Sequence, residues 1–345
     1  MTRFLILVSA VALAPTVRAG SPDDAAAEWV KKVNGKVERD KTLPGRPVVR
    51  IDLDERAVTD DDLKVLAGLK SLRSLSLAET YLTDAVLRHL KDLPLEYLNV
   101  GDTDITDRGL KEIAGFRSLR RLDLSGTLVT EEGLRAAAAM PHLRHLTVYG
   151  LRSDSILTDR ALKVIAGFKC LTSLTFSASK ITGAGVRELA KLKTLTSLTL
   201  DGSKLTDADM KDVAALPTLT ELDLRAAPIT DAGLKELAAL KNLSALSLFQ
   251  VKTATGVGLK HLAGLEKLTR LELQESGLTD GGLKAVATLT QLTSLRIVAT
   301  RVTDQGIREL GALQSLTRLD LANTDTTSEG IAALRKALPK CKVRD

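Results

Sequence analysis

Aromatic side chains make up only 3% of the 345 residues, although 44% are hydrophobic. Leu, Ala, Val and Ile therefore carry the apolar mass, small side chains suited to repeated layers, where an enzyme core of this length would hold more rings. The same scarcity removes the stacking platforms on which proteins hold single-stranded nucleic acid. No Walker loop, Rossmann fingerprint, Cys-x-x-Cys, His-Glu-x-x-His or Gly-x-Ser-x-Gly elbow occurs, and Gly256-Val-Gly258-Leu-Lys-His261 fails the dinucleotide pattern at its last position. His142 and His145 stand in a His-x-x-His spacing with no third ligand in sequence, so structural histidines are the better reading. No catalytic residue, metal or cofactor is predicted.

Long apolar runs are also missing beyond the first residues. Phe4 to Ala14 is the only one, behind Arg3 and ahead of Val17-Arg18-Ala19. A basic start, an eleven-residue apolar stretch and small residues before a break predict a secretory signal peptide over 1–19, cut before Gly20. The run is shorter than the ~20 residues of a spanning helix, so the mature chain is predicted to lie outside the cytoplasm without a membrane span. The formal charge is +6, and loss of Arg3 and Arg18 leaves +4. The Lys residues after Gly-Leu, such as Lys111, Lys235 and Lys284, alternate with acids on one helix face, the pattern of a solvated surface and not of a nucleic-acid groove.

What the chain does have is repetition. Alignment on Leu-x-x-Leu-x-Leu places central residues at Ile51, Leu75, Leu98, Leu122, Leu146, Leu174, Leu198, Leu222, Leu246, Leu271, Leu295 and Leu319, 24 apart in eight of eleven steps. Leu222-x-Leu224 alternates as a strand with one buried face does. Leu234, Leu237, Ala238 and Leu240 then recur at the three-and-four spacing of a helix with a buried stripe. Thr230 is predicted to cap that helix and Asp231 to favour its positive end. The same Thr-Asp pair opens the helical arm at Thr59, Thr83, Thr106, Thr158, Thr206, Thr279 and Thr303. A lone unit has too little apolar surface to fold, so stability requires stacking, with strands paired edge to edge on the inside of a curve. Cys170 and Cys341 lie about seven units apart, more than ~30 Å in such a stack, too far to pair.

The pattern Leu-x-x-Leu-x-Leu-x-x-(Thr/Ser)-x-(Val/Ile/Leu)-Thr-Asp-x-Gly-Leu resembles the leucine-rich repeats of exported bacterial proteins and is similar to ribonuclease-inhibitor-like and F-box-associated repeats. The resemblance covers 48–345 and implies an α/β solenoid, a curved horseshoe with a parallel sheet on its concave face and helices on its convex face. Where many such repeats carry Asn or Cys, this chain has Thr80, Thr103, Thr127, Ser179, Ser203, Ser276, Thr300 and Thr324, whose hydroxyls are expected to bridge to backbone of the next turn.

Residues 20–47 do not repeat. Asp23 to Val33 reads as a helix with Trp29 on its apolar side and Lys36 to Arg39 as a strand, together an N-terminal cap. Twelve repeats fill 48–337, and 338–345 form a C-terminal half-repeat. Three repeats are irregular: the third is one residue short at Leu93-Pro94-Leu95, the fifth gains four residues between Val148 and Thr158, and the ninth gains one and loses its Thr-Asp.

Strand alternation turns the residues flanking each central Leu outward. On repeats three to five this places Tyr97, Arg121 and His145 in one column and Asn99, Asp123 and Thr147 in the next, with Tyr149 beyond them. Repeats eight to ten offer a second, charged patch of Glu221, Asp223, Arg225, Phe249, Arg270 and Glu272. Tyr and Arg are enriched at binding hot spots. The predicted function is a non-catalytic scaffold for a protein partner. A glycan-binding or cell-envelope structural role is the alternative, and an F-box-like substrate receptor is disfavoured by the export signal.

Overall fold

The computed structural model describes residues 21–150, 157–177 and 180–345. The predicted signal peptide at 1–19, the centre of the repeat-five insertion and Ser179 lie outside the described residues. Fourteen strands form one sheet in strict chain order. They are β1 (Lys36–Arg39), β2 (Val48–Asp52), β3 (Ser74–Ser76), β4 (Tyr97–Asn99), β5 (Arg121–Asp123), β6 (His145–Val148), β7 (Ser173–Ser177), β8 (Ser197–Asp201), β9 (Glu221–Arg225), β10 (Ala245–Ser247), β11 (Arg270–Glu272), β12 (Ser294–Arg296), β13 (Arg318–Asp320) and β14 (Lys342–Arg344). The first pairs antiparallel with the second, and from β2 onward every pair is parallel. Central residues face one another, Leu98 to Leu122 to Leu146, so the period of two sends each leucine of this row into a single continuous core.

Among the described residues, β2 to β6 and β8 to β13 each end in a backbone corner four residues after the central residue. Glu79, Asp102, Ala226, Gln250, Glu275 and Ala299 there all have positive φ. Their N–H groups donate to carbonyls one repeat ahead, as Ala226 does to Phe249 and Ala299 to Ala322. Stacking therefore imposes a left-handed conformation that L-residues resist.

The helical arms are shorter and tighter than the apolar spacing predicts. The arm after Thr230 is an α-helix only over Asp231–Leu234 and continues as a 3-10 helix over Lys235–Ala239; that after Gly256 is entirely 3-10, Val257–Leu262. Tighter winding makes a narrower arm, which lets neighbours approach the ~4.8 Å strand spacing more closely than full α-helices would. Arms remain wider than strands, so the strand face is the inner, concave one.

The Thr-Asp-x-Gly-Leu motif works between repeats. Thr230 caps its own arm, its hydroxyl accepting from the Ala232 N–H. That hydroxyl in turn donates to Asp207 of the previous repeat at 2.6 Å, and the Thr230 N–H donates to the same carboxylate at 2.7 Å. Asp60, Asp84, Asp107, Asp159, Asp280 and Asp304 each grip the next repeat's Thr in this way. A Cβ on Gly133, Gly233 or Gly306 would lie 2.3–2.4 Å from the carboxylate reaching across, so glycine leaves room for it. Three Thr-Asp positions depart: Thr279 takes the Thr255 carbonyl in place of a carboxylate, and Thr59 and Thr206 rearrange further. Thr59 accepts no cap bond; its hydroxyl and N–H donate to Asp62, and Asp61 takes the cap position. Thr206, which follows the acid-free Gly183, forms a capping box with Asp209 of its own repeat. In both, no carboxylate arrives from the preceding repeat and an Asp replaces the glycine.

The buried hydroxyls also act differently from expectation. Thr80, Thr103 and Thr127 donate to carbonyls three residues back in their own repeats, at 2.6 Å. At the amino end, the helix Pro22–Lys32 starts from a Ser21–Asp24 capping box and buries Ala26, Ala27 and Val30, with Trp29 packed against the core. At the other end Arg335 bonds the Val343 carbonyl and Asp345 beside β14. Both cysteines are free, and no described helix is long and apolar enough to cross a membrane.

Candidate functional site

The inner face is laid out by register. Tyr97, Arg121 and His145 stand opposite one another across β4, β5 and β6, and Asn99, Asp123 and Thr147 form the adjoining row. A hollow of about 250 Å³ lies between Tyr97, Arg121, Asp123, His145, Thr147 and Ser173. Two of the polar candidates hold the scaffold itself: Asn99 donates to Ser76 Oγ at 3.1 Å and accepts from the Gly101 N–H at 2.9 Å, while Asp123 Oδ1 accepts from Ser125 N–H and hydroxyl at 2.9 and 2.5 Å. Tyr97 is half-buried, and that burial raises its phenol pKa despite a bond to Ser76. His145 titrates lower than usual because it is partly buried and because Arg121 and Arg144 repel a second positive charge.

In the second patch Glu221 faces Ala245, which faces Arg270, and Asp223 faces Ser247, which faces Glu272. The small pair in the middle opens a hollow of about 180 Å³ walled by the charged residues. Sequence reasoning named the walls and missed Ala245 and Ser247; a dip to small residues between charged neighbours in the column is the signal for such a floor.

Tyr149 stands beyond the Tyr97 and Asn99 columns, three residues after its central Leu. Its hydroxyl bonds Asp201, which raises its pKa, and the nearby Arg225 acts in the opposite sense. Arg225 Nε lies 2.7 Å from Asp223 and its guanidinium sits 5.7 Å from the centre of the Phe249 ring, within cation–π range. Tyr149, Asp201, Arg225 and Phe249 thus form one rim at the carboxyl ends of the strands, linking the two patches. Asp201 was not among the sequence candidates. The ninth repeat's irregular loop on this side is pinned: Asp231 accepts from the N–H groups of Thr255, Gly256 and Gly258 and from the Thr255 hydroxyl.

A third hollow, about 510 Å³, lies toward the amino ends of the strands between Arg50, Arg73, Glu96, Tyr97, Arg120 and Arg121. Only Tyr97 and Arg121 were anticipated. Arg73, Glu96 and Arg120 occupy the turn position just before the strand, where a charged residue in sequence is indistinguishable from ordinary solvated surface.

Two 24-residue segments and one of 27, residues 215–238, 264–287 and 88–114, match a family described as Leucine Rich repeat. No curated protein matches the sequence. Among solved structures, an internalin from Listeria monocytogenes aligns over 94% of this chain and 96% of its own at 22% identity, with a TM-score of 0.58. A leucine-rich-repeat protein of Leptospira interrogans aligns over 83% and 88% at 20% identity, with a TM-score of 0.42. The in-register parallel sheet, the matched repeats and the likeness to the internalin together show the fold: an α/β leucine-rich-repeat solenoid.

Proposed function

We propose that this chain is an exported, non-catalytic scaffold that binds a protein partner on its inner strand face. The carrying observation is the set of outward-facing Tyr97, Arg121 and His145 around an open hollow, continued by the Tyr149–Asp201–Arg225–Phe249 rim. These side chains rest on in-register strands, so little ordering would accompany binding, and Tyr and Arg are the types that dominate interface energies. Thirteen parallel strands span roughly 58 Å, long enough for an interface of standard size. In this reading 1–19 direct export and the mature chain starts at Gly20. Residues 20–47 cap the first repeat, 48–337 form the twelve repeats, and 338–345 cap the last.

Immobilised mature protein should retain a specific protein from envelope or culture extracts, and Tyr97→Ala with Tyr149→Ala should release it while leaving the melting profile intact. Equal retention by the double variant rejects the inner face, and retention on insoluble polysaccharide in place of protein rejects a proteinaceous partner. Amino-terminal sequencing of the exported chain should begin at Gly20.

A further inference from the structure

The turn residue entering each strand carries a hydroxyl in repeats six to twelve, and that hydroxyl bonds backbone one repeat back. Thr196 donates to the Thr172 carbonyl at 3.2 Å, Thr220 to Thr196 at 3.1 Å, Thr293 to Thr269 at 3.2 Å and Thr317 to Thr293 at 2.9 Å. In repeats two to five the same position holds Arg73, Glu96, Arg120 and Arg144. The scaffold therefore does not require charge here, and a neutral hydroxyl serves the position elsewhere. Three of the replaced residues, Arg73, Glu96 and Arg120, line the 510 Å³ hollow, whose lining contains four arginines and one carboxylate, and Arg144 follows them in the same turn position one repeat on. That carboxylate, Glu96, is shared between Arg73 Nε at 3.8 Å and Arg120 Nε at 3.7 Å, and all three side chains are about half exposed. Neighbouring acids on the strands are engaged: Asp52 with Lys36 at 2.9 Å, and Asp123 with Ser125.

We propose that this hollow docks an acidic, extended segment of the partner protein, an inference that rests on the protein-binding reading above. Guanidinium forks match carboxylates in bidentate geometry. Side chains on one face of an extended chain recur every ~6.8 Å, between the ~4.8 and ~9.6 Å steps separating arginines one and two strands apart. Glu96 sits where one such carboxylate would bind, and Tyr97 offers a ring against the segment's backbone.

The test is anisotropy of a labelled alternating Glu-Ser decapeptide on the mature protein, beside the Gln-Ser peptide and a heparin decasaccharide. The Glu-Ser peptide should bind, more weakly as salt rises. Arg73→Ser, Arg120→Thr and Arg144→Thr together install the residue class found in later repeats and should weaken binding about tenfold or more, with an unchanged melt. Glu96→Gln should tighten it about threefold. Removing the same charge from the helical arms, with Lys111→Ser, Lys235→Ser and Lys284→Ser, should change it little. Equal binding of the Gln-Ser peptide, equal loss in the helical-arm variant, or binding of heparin alone overturns the proposal. If the acidic peptide fails while the tyrosine double variant still releases its captured protein, only the charge preference falls. If the peptide binds and no captured protein depends on the inner face, the broader reading falls instead.

Discussion

Asp280 shows how one side chain joins two repeats. Its carboxylate accepts from the Thr303 N–H at 2.8 Å and hydroxyl at 2.7 Å, and a Cβ on Gly306 would meet its Oδ1 at 2.3 Å. Asp280→Ala leaves a helix-entry N–H without its acceptor and should cost about 1–3 kcal/mol. Gly306→Ala forces the carboxylate aside and should cost a similar ~1–3 kcal/mol. In the double variant the shortest clash is gone, so urea unfolding should give a cost below the sum of the two by about 1 kcal/mol; additivity would show that the carboxylate and the glycine are not coupled. Asp231 makes the pH dependence visible. Burial raises its pKa, but the Thr255 hydroxyl and the N–H groups of Gly258, Thr255 and Gly256 outweigh that and hold it below the ordinary carboxylate value. A depressed folded pKa stabilises fully above the unfolded value near ~4 and loses that contribution as pH falls through the lowered one. The stability gap between wild type and Asp231→Asn should therefore be widest at neutral pH and shrink below about pH 4 in urea titrations.

Helical arms depend on these contacts unequally. Asp209 accepts from the Thr206 N–H at 2.8 Å and hydroxyl at 2.9 Å, and from the Gly183 N–H at 2.9 Å, so it anchors the starts of two adjacent arms. Asp209→Ala should raise amide exchange together in Gly183–Glu188 and Met210–Ala214, while Asp231→Ala should loosen the arm of repeat nine alone; exchange confined to 207–214 in the first variant would deny the link. The strands, the buried leucines and the Thr caps were legible in sequence because each is fixed by neighbours within a few residues. The partner of Asp107 or Asp280 was not, since it lies 23 residues on and becomes near only through stacking; sequence alone assigned those acids to their own helix ends. The 3-10 character of the arms was hidden for the same reason, being set by the spacing of neighbours and not by apolar periodicity. On the inner face the columns followed from alternation, whereas the hollow over Ala245 and Ser247 and the arginine cleft depended on three-dimensional absence of bulk.

Across the whole stack a carboxylate bridges the arm starts of neighbouring repeats, reaching backward from Asp209 between repeats six and seven and supplied by Glu131 between four and five; the joint between repeats nine and ten is the exception. Gly256 stands where the acid would be, and Thr279 is held instead by the Thr255 carbonyl, which accepts from its N–H at 3.1 Å and its hydroxyl at 3.3 Å. These bonds are neutral and longer than the carboxylate bonds of 2.7–2.8 Å at the next joint, and charge-assisted bonds are about twice as strong. Backbone also meets backbone here: a Cβ on Gly282 would lie 2.2 Å from the Thr255 carbonyl oxygen and 3.0 Å from Gly256 Cα. A carboxylate can swing away from an added methyl group, as Asp280 would in the Gly306→Ala variant, leaving a backbone contact of 2.9 Å to Asp280 Cα, but a carbonyl at 2.2 Å that is bonded to the next turn cannot. Gly282→Ala should thus cost more than Gly306→Ala. Because a solenoid's stability is a sum of repeat and nearest-neighbour contributions, the damage should fall on one joint. In mild urea at neutral pH, hydrogen exchange of Gly282→Ala should show repeats ten to twelve and β14 opening as a block while repeats one to nine keep their protection. Acidification should loosen both blocks, through Asp209 and Asp231 in the longer one and Asp304 in the shorter, and leave the neutral joint unchanged. A single cooperative transition across all twelve repeats at every pH would mean that the continuous leucine core, and not the links between arms, sets the unit of unfolding.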